Sequence, residues 1–213
     1  MTYSVKEIYY TLQGEGSQSG RPAVFLRFAG CNLWSGREDH RAQAVCRFCD
    51  TEFVGTDGKG GGKFETAADL TDAVRRAWPD AADGIPYVVC TGGEPLLQID
   101  GELLDALHAA GFEIGVESNG TLAAPDGIDW LCISPKGSAA MVQTSGQELK
   151  LVYPQSEPEA QPENFLGLAF DHFYLQPLDS PEVEQNTRNA VAYCLTHPRW
   201  KLSIQTHKVL GID

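Results

Sequence analysis

The chain has 213 residues, 42% of them apolar and 21% charged, with a formal net charge of −13. That balance fits a soluble globular protein, and its negative field disfavours nucleic acid and anionic membrane as partners. No apolar run approaches the roughly 20 residues of a bilayer-spanning helix. Met1–Tyr10 lacks the basic-then-apolar order of a secretory signal, so the expected location is cytoplasmic. The length suits a single domain, 1–213, with a cysteine-bearing loop at 30–63.

Residues 3–10 alternate weakly and predict a strand, followed by a polar, Gly-rich loop at 12–20. The apolar run 23–29 predicts a buried strand interrupted by Arg27, and 55–62 (GTDGKGGG) reads as a mobile loop. Helical spacing over 66–78 starts at Thr66, a suitable cap, and stops at Pro79. A rhythm then repeats: a strand at 87–90, a helix at 100–110 and strands at 113–116, 130–133, 148–152 and 172–175. A helix at 182–196 and a last strand at 201–205 complete the chain.

Polar residues cluster just after each strand, where ligands bind in both barrels and open α/β sheets. A full barrel of eight βα units takes about 250 residues. About six core strands and three convincing helices therefore predict a trimmed, open partial (β/α) barrel of the α/β class with a parallel sheet.

Six cysteines in such a chain are not expected to form disulfides. Cys90 and Cys132 sit in apolar runs and Cys194 in a helical pattern, so they read as small core residues. Cys31, Cys46 and Cys49 instead sit among glycines and polar loop formers. Three thiolates suit zinc or an iron–sulfur cluster, and His40 could complete a Cys₃His zinc site. Three ligands on a four-iron cluster leave one iron open to an outside donor. The amino-acid end of S-adenosylmethionine (SAM) is such a donor. The turn Gly92-Gly93-Glu94-Pro95 suits that end: its glycines admit a close approach, and its carboxylate can accept from an ammonium.

An ordered set of motifs spans nearly the whole chain: Leu12-Gln13-Gly14-Glu15-Gly16, Gly30-Cys31-Asn32-Leu33, Cys49-Asp50-Thr51, Thr91-Gly92-Gly93-Glu94-Pro95, Glu117-Ser118-Asn119-Gly120, Ser134-Pro135-Lys136, Leu149-Lys150-Leu151, Gln176-Pro177 and Gln205-Thr206-His207-Lys208. With these motifs the sequence resembles the radical SAM superfamily and, within it, the 7-carboxy-7-deazaguanine synthase family. It departs from the superfamily's usual CxxxCxxC: fourteen residues separate Cys31 from Cys46, while the CxxC half is intact. Loop-closure entropy grows only logarithmically with length, so Cys31 can still reach the others.

The resemblance implies a [4Fe–4S] cluster on Cys31, Cys46 and Cys49, SAM, and Mg²⁺ on Thr51 with Asp50 as an outer partner. It implies SAM contacts from Phe48, Gly93, Glu94, Ser134, Lys136, Gly137, Gln176 and Asp179. Substrate contacts are implied for Leu12, Gln13, Gly14, Glu15, Arg27, Thr91, Glu117, Asn119, His207 and the C-terminal Asp213. The family's reaction converts 6-carboxy-5,6,7,8-tetrahydropterin to 7-carboxy-7-deazaguanine with loss of ammonia, in queuosine and 7-deazapurine biosynthesis. A flavodoxin-like reductant and a homodimer are expected from the same family. The alternatives are an activase that makes a glycyl radical on a partner protein, and a structural zinc module.

Overall fold

The computed structural model describes residues 2–212; Asp213, expected at the substrate mouth, lies outside the described residues. Its strands are β1 (Tyr3–Leu12), β2 (Pro22–Phe28), β3 (Gly62–Phe64), β4 (Tyr87–Gly92), β5 (Glu113–Ser118), β6 (Trp130–Ile133), β7 (Ser145–Tyr153), β8 (Ala169–Pro177) and β9 (Trp200–Leu202). Its helices are α1 (Ala67–Ala77), α2 (Gly101–Ala109), α3 (Val183–Thr196) and α4 (Thr206–Leu210).

All the described strands join one sheet in the order β3-β1-β2-β4-β5-β6-β7-β8-β9. β1 is antiparallel to β2 and β3, whereas β2 and β4 to β9 run parallel. The edges β3 and β9 stay unpaired with each other, so the sheet is open, as expected. The parallel register aligns the strands' carboxyl ends: Arg27 pairs with Thr91, and Ser118 with Ile133.

The helices form where apolar spacing and caps agree. In α1, Ala67, Leu70, Thr71 and Val74 are buried, and the Thr66 hydroxyl accepts from the Asp69 N–H at 3.1 Å. In α2, Leu103, Leu104 and Leu107 are buried, while Asp100 caps the helix and also accepts from the Tyr3 hydroxyl. These leucines share one hydrophobic cluster with Val24, Leu26, Val88 and Ile114; each contributes about 1.5–3 kcal/mol of burial. α3 is tethered by Asn186, whose amide donates to the Leu178 carbonyl at 2.9 Å and so holds the loop after β8. Among the described residues, the β5–β6, β6–β7 and β7–β8 connections carry no α-helix, which is where the barrel is trimmed.

Cys90 and Cys132 are buried, and Cys194 packs at the edge of the core. Two local expectations change. The segment 55–62 is fastened rather than mobile: Ile8 N–H donates to Lys59 O and Gly58 N–H to Lys6 O, and a side chain at Gly61 would lie 2.1 Å from the Lys6 carbonyl. The last strand is short, and the chain turns at once into α4, which the sequence pattern did not signal. No described helix is long and apolar enough to cross a membrane.

Candidate active site

The carboxyl ends of the parallel strands open into a cavity of about 430 Å³. One wall forms because the loops after β2 and β4 stack closely. Glu94 N–H donates to Gly30 O at 2.9 Å, and a Cβ on Gly93 would sit 2.1 Å from that oxygen and 2.9 Å from the Cβ of Cys31. Only glycine fits there, and the close approach sets Cys31 beside the Gly-Gly turn. Asn119, at the end of β5, donates to Asn32 at 2.9 Å and ties the next loop to the same wall.

Cys31, Cys46 and Cys49 all line this cavity. Cys49 is drawn down to about 6, first by the bond its sulfur accepts from the Cys46 thiol, and further by the Thr51 backbone and the Lys136 charge, against burial. Cys46 moves up, because it donates that bond and is buried, and burial also raises Cys31. Two hydrogen-bonded thiols, Cys46 buried and Cys49 partly so, with a third thiol lining the same cavity, make a soft donor set suited to an iron–sulfur cluster. His40 is no fourth ligand: it lies on the exposed insert, 3.0 Å from the Ser35 hydroxyl, and does not line the cavity.

The cavity floor is a buried charge network. Lys150 on β7 is 4% exposed; its ammonium lies 2.6 Å from Glu15 and 3.0 Å from Glu117. Gln13 donates to Glu117 at 3.1 Å, Thr91 to Glu117 at 3.4 Å and Gln205 to Glu15 at 2.9 Å. Burial alone would raise the Glu15 carboxyl, but the Lys150 charge and hydrogen bonds hold it down at about 2. The 13–17 turn crosses the open side of the sheet to make these contacts. Gly16 N–H donates to Ser203, Ser17 N–H to Glu148 and the Ser17 hydroxyl to Tyr174. A Cβ on Gly14 would meet His207 Nδ1 at 2.1 Å, so α4 closes directly onto this turn.

Most residues anticipated from sequence meet in this one cavity: Leu12, Gln13, Gly14, Glu15, Arg27, Phe48, Thr51, Thr91, Gly93, Glu117, Asn119, Ser134, Lys136, Gln176, Asp179 and His207 line it. Glu94 differs. It is fully buried, and its carboxylate is occupied by Ser118 Oγ (2.8 Å), Asn119 N–H (2.8 Å) and Leu96 N–H (2.9 Å). It therefore locks the loops after β4 and β5 together instead of presenting an acceptor to the cavity. Gly137 also lies behind the wall, its N–H donating to Gln155 at 2.8 Å.

Arg27 is engaged within the protein, donating to Glu7 at 2.7 Å and Tyr9 at 2.9 Å, with its side chain 16% exposed at the cavity edge. Asp50, expected as an outer partner of the cation, is paired with Lys208, which also holds Asp179. Lys150 and Lys208 carry these contacts, and the sequence alone assigns no role to either. Both sit inside motifs that were recognised, but a lysine in a strand pattern gives no sign of how deep its ammonium lies.

A parallel half-barrel that brings three thiols to its carboxyl end, against a Gly-Gly turn and in one cavity with a buried polar network, defines a radical SAM enzyme; the family model of the Radical SAM superfamily matches residues 40–138. The chain is 64% identical, over all of both chains, to the 7-carboxy-7-deazaguanine synthase of Caulobacter vibrioides, and 62% identical, again over all of both, to that of Bradyrhizobium diazoefficiens. The crystal structure of QueE from Escherichia coli superposes with a TM-score of 0.72 at 27% identity, covering 96% of this chain and 94% of that one. The chain belongs to the 7-carboxy-7-deazaguanine synthase family, a family of radical SAM lyases, and neither a zinc module nor a glycyl-radical activase describes it.

Proposed function

We propose that the chain, acting as one domain, converts 6-carboxy-5,6,7,8-tetrahydropterin to 7-carboxy-7-deazaguanine and ammonia, a conversion that balances without an external oxidant. The observation that supports this most directly is the network of paired carboxylates and amides that lines the same cavity as the three thiols. Cys31, Cys46 and Cys49 would hold the [4Fe–4S] cluster, which when bound and reduced would supply the electron for reductive cleavage of SAM.

The chain's own residues bind, orient and shield. The Gly92-Gly93 turn and Ser134–Lys136 face the methionyl side, and Phe48 and Gln176–Asp179 the adenosine side. Glu15, Glu117 and Gln13 supply acceptors and a donor to the N–H-rich edge of a pterin. Arg27, which lines the cavity, offers a cation to its carboxylate, at the price of loosening its bonds to Glu7 and Tyr9. His207 and α4 cover the turn at Gly14 and keep water from the reacting centre. A low-potential acidic carrier such as a flavodoxin, and a homodimer, complete the reading.

Thr51 lines the cavity next to Cys49 and offers a hydroxyl to a hard cation that keeps most of its waters. Thr51→Ala should leave iron content and SAM affinity unchanged while reducing the stimulation of turnover by Mg²⁺. An unchanged magnesium dependence would remove Thr51 from that role. Turnover of the carboxytetrahydropterin by the reduced, reconstituted protein tests the whole proposal. Formation of 7-carboxy-7-deazaguanine is expected, and SAM cleavage without that product would refute the substrate assignment.

A further inference from the structure

The insert between Cys31 and Cys46 has a small core of its own. Trp34 is 7% exposed and meets the Phe53 ring edge-on at 5.6 Å. Over the Trp34 ring, at 4.0 Å, lies the guanidinium of Arg41. The same guanidinium donates through one nitrogen to the carbonyls of Arg47 and Cys49, each at 3.0 Å. Through its other two nitrogens it grips the Glu38 carboxylate at 2.7 and 2.6 Å. Arg41 therefore reaches from the insert to the carbonyls on both sides of the Phe48–Cys49 peptide through one nitrogen while its other two nitrogens hold Glu38. A lysine, with a compact point charge, can neither stack on Trp34 nor serve three acceptors in that plane.

The ion pair is also oriented. The Glu38 side chain is 74% exposed and the Arg41 side chain 29% exposed, so the positive end points inward. That positive end is within electrostatic reach of Cys46 and Cys49. Charges and hydrogen bonds around cluster thiolates set reduction potential, and a nearby positive charge favours the more negative, reduced state.

We propose that Arg41 is a positioning residue for the cluster. It fixes the Cys46–Cys49 turn through two backbone carbonyls and, with Glu38, sets the cluster's potential. This rests on the reading of Cys31, Cys46 and Cys49 as cluster ligands. The test is an anaerobic redox titration of the reconstituted, SAM-free protein followed by electron paramagnetic resonance, with iron release to a chelator measured in parallel. Arg41→Gln leaves the Glu38 charge behind and should shift the midpoint potential down; Glu38→Gln leaves the Arg41 charge uncompensated and should shift it up. Arg41→Lys keeps the charge but not the flat fork. It should hold the potential near the parent's while iron is stripped several-fold faster.

A merely structural role would not move the two potentials in opposite directions. If both shift the same way, or neither moves while each protein holds about four irons per chain, the inference is wrong although the cluster reading stands. Should Arg41→Gln fail to load iron, the exposed Glu38→Gln variant decides alone: an upward shift supports the inference and no shift overturns it. If the unaltered protein itself loads no cluster, the ligand reading fails and the inference with it.

Discussion

Replacing Cys46 with alanine should yield a folded protein that retains little iron and forms no 5′-deoxyadenosine above background. The side chain is 6% exposed, and the change removes one sulfur from a tightly packed turn. Its cost to folding is therefore small beside its cost to metal binding. The substitution takes away a thiolate ligand and also the hydrogen bond that draws Cys49 down to about 6. Without that bond the Cys49 thiol should rise toward its ordinary value of 9.0, and its alkylation in the metal-free protein at neutral pH should slow, since only the thiolate reacts. Normal iron content with normal SAM cleavage would show that Cys46 is not a ligand.

The second large effect should come from Lys150→Met. A buried ion pair adds little to stability when intact, but removing one partner strands the other charge at a cost of about 3–5 kcal/mol. Here two carboxylates, Glu15 and Glu117, would face each other across the vacated position. The sign of the pH dependence follows. In the parent protein the Glu15 carboxyl is lowered from 4.5 to about 2. That contribution is fully present above pH 4.5 and is lost as pH falls toward 2, so it leaves stability flat between pH 5 and 7. In the variant, desolvation of Glu15 is opposed only by the Gln205 hydrogen bond and the smaller effect of His207, and with Glu117 left facing it the folded-state value should rise above the unfolded one. Stability should then fall as pH rises. Thermal unfolding of the metal-free variant should show a large loss at pH 7 that is partly recovered at pH 5. Equal losses at both values would contradict the role given to Lys150. Turnover should be lost with the substitution, because Gln13, Thr91, Glu15 and Glu117 are held by the same network.

Much of the fold was legible because the helices and central strands obey their periodicities. The cap at Thr66, the helix at 100–110, the apolar runs of β4 to β6 and the polar residues after each strand all agree with the structure. The site was legible because its ligands are small signals at fixed places: three cysteines, a Gly-Gly turn and a threonine after CxxC.

What escaped was whatever depends on long-range pairing. The carboxylate of Glu94 looks available in sequence, yet the approach of β4 to β5 gives it three donors. Arg41 makes its decisive contacts to backbone carbonyls, which no side-chain pattern encodes. The glycines of 55–62 suggested freedom, but their missing side chains instead let the loop lie flat on β1. α4 spans only Thr206–Leu210, too short for periodicity to announce, and its Lys208 joins the loop after the cysteines to the loop after β8.

The most direct single measurement is the quantity of 5′-deoxyadenosine formed when anaerobically reconstituted protein is reduced in the presence of SAM. An open iron at Cys31, Cys46 and Cys49 predicts methionine and 5′-deoxyadenosine in equal amounts from the unaltered chain and none from Cys46→Ala. A protein that holds its metal through a complete set of side chains and leaves SAM intact would contradict it.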